Sequence, residues 1–316
     1  RERLLSMVNC SELFAAMDTN DYGSFINPSF NERLVWAQMA DAGLLSDFSN
    51  SFFIVAGFQR TRLFSNDWLG EIYSHGRKRE FTTRTRFELN NDELVTVSKS
   101  KMYTHYNVKE GKILHHDTRD VWRNGKSIHT LMLAAHHLSC TRTFYVEMKI
   151  IVQAWWLSIN EQSIENEKLA GDKVDAIWRN CIKQSDGNSR IIDTEWEWSN
   201  EIPKFFLIYR AVRAFYEAEF EYSTRWSKRR QLVPQFFVMR TIAKFCDVRL
   251  SIGSVWECIN LDVEFCAETQ GKRLKRSKVL VNIFLPLLFL RTGKRILRTY
   301  KTIIEKVRNR FRMFSV

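Results

Sequence analysis

An alternating stretch between residues 81 and 89 constrains the fold more than any other feature of this sequence. Along "FTTRTRFEL" one side carries apolar or threonine side chains and the other carries charged ones: Phe81, Thr83, Thr85, Phe87 and Leu89 against Arg84, Arg86 and Glu88. This pattern is typical of a β-strand with one buried face. The polar "NNDE" (90–93) then predicts a turn, and "LVTVSKSKMYTHYNV" alternates again. We therefore expect antiparallel strands joined by short turns.

A helix is predicted before these strands. In "NPSFNERLVWAQMADAGLL", either Asn27 caps the helix with Pro28 at its first position, or Ser29 caps it and pairs with Glu32 at capping-box spacing. The apolar spacing then predicts a helix over 29–45. The order in the first part of the chain is thus one helix followed by antiparallel strands.

The second half repeats this order weakly. Residues 190–220 contain an aspartate-led polar stretch, a proline and an amphipathic helix, predicted over 203–219. After it, "SVWECINLDVEFCAE" (254–268) alternates like a strand. One common offset relates Asp18, Thr19, Pro28 and Phe30 to Asp193, Thr194, Pro203 and Phe205. We therefore predict an internal duplication.

These elements predict an α+β protein with two antiparallel sheets, each wrapped on a central helix. The predicted boundaries are a first unit at 1–125, a connecting strand and helix segment at 126–185, a second unit at 186–285 and a basic amphipathic tail at 286–316. Within the connecting segment, "NEQSIENEKLAGDKVDAIWRNCIKQ" (160–184) is predicted to be helical.

The turn before the first helix resembles that of hotdog-fold thioesterases, which has the form D-T-D-x-x-G-H-V-N-N-x-x-Y. The segment "DTNDYGSFINPSF" (18–30) lies on that pattern without a gap. The matching residues are Asp18, Thr19, Gly23 and Asn27, and Phe30 takes the aromatic place. The resemblance covers 10–115 and, more faintly, 190–285. It implies a sheet wrapped on a central helix, in a tandem similar to the double-hotdog acyl-carrier-protein thioesterases.

The resemblance also implies a thioesterase cleft, in which the family's residues are only partly kept. Asn20 stands in the place of the catalytic acid, Ser24 replaces the histidine and Ile26 replaces the first asparagine. In the second unit Glu195 keeps an acid at that place, but Trp198 replaces the glycine. The candidate catalytic residues are therefore Glu195, Asp18 and Asp21, and the candidate substrate-binding residues are Asn20, Gly23, Ser24, Asn27 and Phe30.

Two functions follow from this cleft. Thioester hydrolysis needs a carboxylate to activate water or attack the carbonyl, and N–H donors to hold the oxyanion. Because neither unit carries a complete site, the first hypothesis is a non-catalytic hotdog-like protein with a degenerate cleft, acting as a binding or scaffold component of a large complex. The alternative is an active thioesterase on acyl-CoA or acyl-carrier-protein thioesters. The same acids would also suit helix capping alone.

The histidines and cysteines show no complete metal motif. His115-x-Asp117 resembles the start of a two-histidine, one-carboxylate iron triad, but such a site takes its third ligand from a distant strand. The 6 cysteines include no C-x-x-C pair. We expect no cofactor, no metal and reduced thiols in an intracellular protein. A targeting segment removed before Arg1 would instead place the protein in an organelle.

The positive charge is concentrated at the C-terminal end. The net charge is +12, yet 272–316 holds fourteen Lys and Arg residues against one acid, Glu305, so the rest of the chain is close to neutral. Apolar residues recur at helical spacing between these charges. The tail therefore predicts contact with an anionic membrane surface, with the phosphates of RNA, or with the protein body. The most apolar run (279–290) is shorter than the about 20 residues of a membrane span.

Overall fold

A computed structural model of the chain describes residues 12, 32–44, 65, 67–74, 76–90, 94–103, 111–138, 141–159, 167–226, 235–271, 276, 279, 280 and 283. Within this part the fold is α+β with antiparallel sheets, the class that the sequence predicts. In the described part, no helix is both long and apolar enough to cross a membrane.

The described α-helices are α1 (Glu32–Asp41), α2 (Ile128–Leu138), α3 (Thr141–Ile159), α4 (Lys204–Trp226), α5 (Gln235–Phe245) and α6 (Ile252–Gln270). The described strands are β1 (Trp68–Tyr73), β2 (Thr83–Leu89), β3 (Val95–Lys101), β4 (Ile113–His115), β5 (Thr118–Val121), β6 (Lys126–Ser127), β7 (Lys168–Leu169), β8 (Cys181–Lys183), β9 (Ser189–Ile191), β10 (Trp196–Trp198) and β11 (Ile202–Pro203). Short 3-10 helices cover Arg79–Phe81, Gly171–Asp175 and Trp178–Asn180.

Strands β1, β2, β3 and β5 form a four-stranded antiparallel sheet in that order. The alternation that predicts β2 is confirmed, since Phe81, Thr83, Phe87 and Leu89 are buried. Thr83 pairs with Lys101 and Leu89 with Val95. The predicted turn between the two strands is closed at its base, where the backbone N–H of Leu94 donates to Asn90 Oδ1 at 2.8 Å.

Smaller antiparallel sheets tie distant parts of the chain together. Strand β4 pairs with β10, β7 pairs with β11, and β6, β8 and β9 form a third sheet. Because β4 lies in the chain between β3 and β5 of the four-stranded sheet while β10 precedes α4, the β4–β10 pair joins the first half of the chain to the second.

Helix α1 lies within the helix predicted at 29–45, whose first three residues and last residue are outside the described part. Its described side chains are half-buried or exposed. Leu34 contacts the main core, and Ala40 packs against a small cluster formed by Phe87 and Val95 of the sheet. The helix therefore borders the four-stranded sheet, and none of its described side chains is enclosed.

Helix α4 confirms the second predicted helix and lies at the centre of the main core. Its residues 205–209 are all buried. The prediction of a strand over 254–268 is wrong, because these residues belong to α6. The buried positions in this helix recur at three- and four-residue intervals: Val255, Cys258, Ile259, Asp262, Phe265, Cys266 and Thr269. This is helical spacing, so helices α5 and α6 pack on α4 where a second sheet is predicted.

The prediction of a helix over 160–184 is also wrong for its described residues. Residues 167–184 form β7, two 3-10 helices and β8. Their buried positions come in continuous runs, as at 176–178 and 180–182, without a helical stripe. Such runs are typical of segments enclosed on all sides.

The core continues into the basic C-terminal segment. The described residues there are helical, and Val279 and Ile283 are buried in the main cluster. Four cysteines in the described part are free and buried: Cys181, Cys246, Cys258 and Cys266. Burial raises the pKa of the Cys181 thiol to about 11, so it stays protonated at neutral pH.

Candidate functional site

Glu195 is the one predicted site residue that falls in the described part of the chain. Asp18, Asn20, Asp21, Gly23, Ser24, Asn27 and Phe30 all lie outside the described residues. Glu195 is therefore the centre of the candidate site, and it is fully buried, with an exposed fraction of 0%.

The segment before β10 positions this carboxylate. Asp193 adopts the left-handed conformation with φ 58°, which turns the chain before the strand begins. The backbone N–H of His116 then donates to the Glu195 carbonyl at 2.8 Å. In the strand itself, Trp196 and Trp198 are buried, whereas Glu197 lies outward beside His116. Strand β10 pairs with β4 so that Trp196 faces His115.

Three side chains converge on the Glu195 carboxylate. Arg77 binds it with both guanidinium branches, Nη1 to Oε2 at 2.9 Å and Nη2 to Oε1 at 2.6 Å. Lys99 Nζ lies 3.1 Å from Oε1. His115 Nε2 lies 3.2 Å from Oε2, and because an ionised carboxylate can only accept, His115 donates this hydrogen bond. Lys99 also donates to Asp193.

These contacts hold Glu195 as an anion. Burial alone raises the pKa of its carboxyl group. The hydrogen bonds from His115 and Arg77, together with the charges of Lys99 and Arg77, reverse this and hold the pKa well below its ordinary value. For Arg77, burial lowers the guanidinium pKa, but the hydrogen bond and charge of Glu195 leave it raised. The pair is therefore ionised on both sides.

Aromatic rings enclose the network on one side. His115 lies edge-on to Trp196, with ring centroids 4.9 Å apart, and Phe81 lies near both rings. The Arg77 guanidinium lies 5.0 Å from the centre of the Trp196 ring, a cation–π distance. His115 Nδ1 is buried in this environment and has no hydrogen-bond partner among the described residues. The rings keep water away from the ion pairs and thereby strengthen them.

A second buried ion pair lies close to the first. Arg210 of α4 donates to Asp175 at 2.9 Å, and Asn180 donates to the same carboxyl group at 2.8 Å. Burial raises the pKa of Asp175, and the negative charges of Asp193 and Glu195 add to this rise, while Arg210 opposes it. The Arg210 guanidinium also lies over the Phe265 ring at 3.9 Å. The combined network links the sheet, the 3-10 helix at Gly171–Asp175, and helices α4 and α6.

The arrangement suits a structural clamp better than catalysis. A general base needs a pKa near the working pH and a free lone pair that reaches the substrate. Both oxygens of Glu195 already accept charge-assisted hydrogen bonds, and its side chain is 1% exposed. What this carboxylate can do is fix Arg77, Lys99 and His115 against β10.

Sequence reasoning identified Glu195 but not its partners. Arg77 and His115 carry no local signal that points to a carboxylate far along the chain. Lys99 does carry such a local signal, because it follows Val95 and Val97 at two-residue spacing on β3. A lysine on the apolar side of a half-buried strand requires a buried acid as its partner.

The metal hypothesis at His115 gains no support. In the described residues, no three His, Cys, Asp or Glu side chains are placed to hold a metal ion. His115 donates to Glu195 instead, and Asp117 accepts a hydrogen bond from the Lys101 backbone at 3.1 Å.

Comparison with known proteins assigns no family. No protein-family model matches the chain, and no curated protein or solved structure is significantly similar to it.

Proposed function

We propose that this chain is a non-catalytic binding or scaffold component that attaches to an anionic membrane surface through its basic segment at 272–316. The observation that carries the non-catalytic part is the state of Glu195. Its carboxylate is enclosed, doubly bound by Arg77 and held ionised, so it is a poor base for thioester hydrolysis. Asn20 has an amide where the resemblance places an acid, and an amide cannot act as a base.

The composition of the basic segment supports a lipid partner. Fourteen cations attract an anionic surface, at roughly 1 kcal/mol for each one close to it. Six apolar side chains lie in the same segment: Phe284, Leu285, Leu287, Leu288, Phe289 and Leu290. Binding to RNA phosphates uses the cations and leaves these side chains without a role. A lipid interface uses both groups.

The hotdog resemblance, which covers 10–115, belongs to this proposal as the fold of the first unit (1–125). Its support is the order of helix and antiparallel strands, and the contact of Ala40 with Phe87 and Val95. A crystal structure of the full chain is expected to show the four-stranded sheet curving around α1. A flat sheet with α1 detached from it would contradict this expectation.

A turnover assay tests the non-catalytic part. The full chain is incubated with acyl-CoA and acyl-carrier-protein thioesters of several chain lengths, and free thiol is measured. We expect no release above the blank. The variants Glu195→Gln, Asp18→Asn and Asp21→Asn are assayed alongside, with circular dichroism to confirm that each is folded. Thioester turnover that a folded acid variant abolishes would establish the thioesterase alternative.

Vesicle binding over a range of salt concentrations tests the membrane part. We expect the full chain to bind anionic vesicles much more tightly than neutral ones, to which only the apolar contacts contribute. Salt should weaken this binding without abolishing it, because apolar contacts are not screened. Structured RNA serves as the competing ligand. Binding to RNA without binding to anionic vesicles at low salt would replace the lipid partner with nucleic acid.

A further inference from the structure

Helix α3 (Thr141–Ile159) is apolar on two opposite sides. One side belongs to the main core and includes Phe144, Met148, Ile151, Val152, Trp155, Trp156 and Ile159. On the other side, Val146, Ile150 and Leu157 are exposed by 59%, 57% and 69%. These three are the most exposed large hydrophobic side chains in the described part of the chain. We call them the α3 stripe.

The α3 stripe follows one line of the helix and is interrupted by the polar Gln153 between Ile150 and Leu157. With Gln153, its members have four-, three- and four-residue spacing, which places them on one line. The line is about 16 Å long at 1.5 Å per residue. Single exposed apolar residues are normal on protein surfaces, whereas an aligned row of the three most exposed ones is a candidate interaction site.

The size and chemistry of the stripe favour lipid over a protein partner. A standard interface buries about 800 Å² on each partner, far more than three aliphatic side chains provide. A lipid interface needs no matching pockets, and a helix of this kind can lie in it with its apolar side inserted about 5–10 Å. RNA offers aliphatic side chains no comparable environment.

The charge of the chain adds a second argument for an anionic lipid surface. Beyond buried Ile283 the chain continues to residue 316, and this stretch is rich in Lys and Arg. Its 33 residues could span about 50 Å even if fully helical. The length of the basic segment is therefore compatible with contact at the same surface as α3.

We propose that the α3 stripe inserts into an anionic membrane surface while the basic segment binds the headgroups. This inference rests on the proposed membrane function and adds a second contact to it. The stripe adds to the part of the binding that salt does not remove, which the apolar side chains at 284–290 also supply. The cations of the basic segment supply the part that salt removes.

The test compares three forms of the full chain on anionic vesicles. The first variant carries Val146→Gln, Ile150→Gln and Leu157→Gln. A matched control removes exposed leucines elsewhere, Leu44→Gln, Leu94→Gln and Leu114→Gln, each of which is also partly exposed. Vesicle sedimentation is measured at low salt and at about 1 M, where the Debye length is about 3 Å.

We expect the stripe variant to lose at least tenfold in vesicle partition at high salt, with the leucine control unchanged. A stripe variant that binds like the unmodified chain at both salt concentrations overturns the inference. A variant that splits a dimer, seen by analytical ultracentrifugation, but binds vesicles normally also overturns it and assigns the stripe to a second copy.

A separate variant distinguishes failure of this inference from failure of the proposed function. Replacing the Lys and Arg residues of 291–312 by Gln should remove the salt-sensitive part of vesicle binding. If this variant loses low-salt binding while the stripe variant binds normally, the proposed function stands and the inference fails. If the unmodified chain binds no vesicles at all, both fail.

Discussion

At Glu195, burial and pairing act on the carboxylate in opposite directions, and pairing prevails. Arg77 supplies two parallel hydrogen bonds, a geometry that Lys cannot reproduce. Such buried pairs contribute little net stability compared with an apolar replacement, yet removing one partner leaves the other charge unpaired. Glu195 is therefore a residue whose loss is costly even though its presence adds little.

Replacing Glu195 by Gln should destabilise the fold by about 3 kcal/mol, because Arg77 would remain largely buried without its anion, whereas Lys99 would keep Asp193. Glu197→Gln in β10, two residues further along the chain, is the matched control. Its side chain is 41% exposed and its partner His116 is also exposed, so we expect a change of at most about 0.5 kcal/mol. Urea unfolding followed by tryptophan fluorescence measures both. Equal costs for the two variants would contradict the role of Glu195.

The same carboxylate should make stability depend on pH in the acid range. Its pKa is lower in the folded state than in the unfolded chain, where it is ordinary at 4.5. The contribution is therefore fully present above about pH 5 and is lost as the pH falls towards the folded value. Unfolding curves from pH 7 to pH 3 should show a steeper decline for the unmodified chain than for Glu195→Gln. Parallel declines would argue against this linkage.

The 3-10 helix at Gly171–Asp175 depends on a close backbone contact with β10. A Cβ added at Gly171 would lie 1.8 Å from the Trp198 carbonyl oxygen and 2.8 Å from that of Asn200. Gly171→Ala should therefore destabilise the fold by about 1–3 kcal/mol, since backbone must move. In α6, Gly253→Ala is the control, because its nearest neighbour is a side-chain atom at 3.6 Å. In thermal unfolding, the melting temperature of Gly253→Ala should equal that of the unmodified chain or lie slightly above it. A Gly171→Ala variant with an unchanged melting temperature would contradict the close backbone contact.

At the level of elements, the sequence predicts a strand or a helix correctly when its pattern of apolar residues fits only one of the two. Thr83 to Leu89 alternate strictly between apolar and charged side chains, and only a strand satisfies that. In α6, Trp256 and Cys258 suggest alternation, but burial follows Cys258, Asp262 and Phe265. Asp262 is polar, so its sequence neighbourhood predicts an outward position. It lies inward because Tyr209 donates a hydrogen bond to it at 3.3 Å and Arg213 forms an ion pair with it. Those partners lie on α4 and cannot be read locally.

Across the whole molecule, the core extends past the end of α6 into the basic segment. A chain ending at Gln270 should be less stable than one ending at Ile283, because it lacks Val279 and Ile283, which are 7% and 1% exposed. Each such buried side chain contributes about 1.5–3 kcal/mol. Chemical unfolding of the two shortened chains measures the difference. Equal stability would mean that 279–283 does not belong to the core.

At this scale, the role of a site residue depends on contacts between distant parts of the chain, which a single sequence does not show. Glu195 could be singled out because its neighbours resemble a known turn. Its role follows from Arg77, Lys99 and His115, which are all distant from it in the chain. The pairing of β4 with β10 brings His115 to it. The residues that the resemblance emphasises most, Asp18 to Phe30, lie outside the described residues, so their roles stay predictions.

The pairing of β4 with β10 also sets an order of events during synthesis. His115 and Glu195 are 80 positions apart, whereas the hairpin of β2 and β3 closes across a few residues at Asn90. At about 5–20 residues per second, a ribosome needs roughly 4–16 s to add that stretch. Throughout this interval the hairpin can be complete, while Arg77 and Lys99 have not yet met the carboxylate of Glu195. Arg77 and Lys99 therefore leave the ribosome before Glu195 is made. An anionic surface close to the ribosome would meet these two cations before Glu195 does.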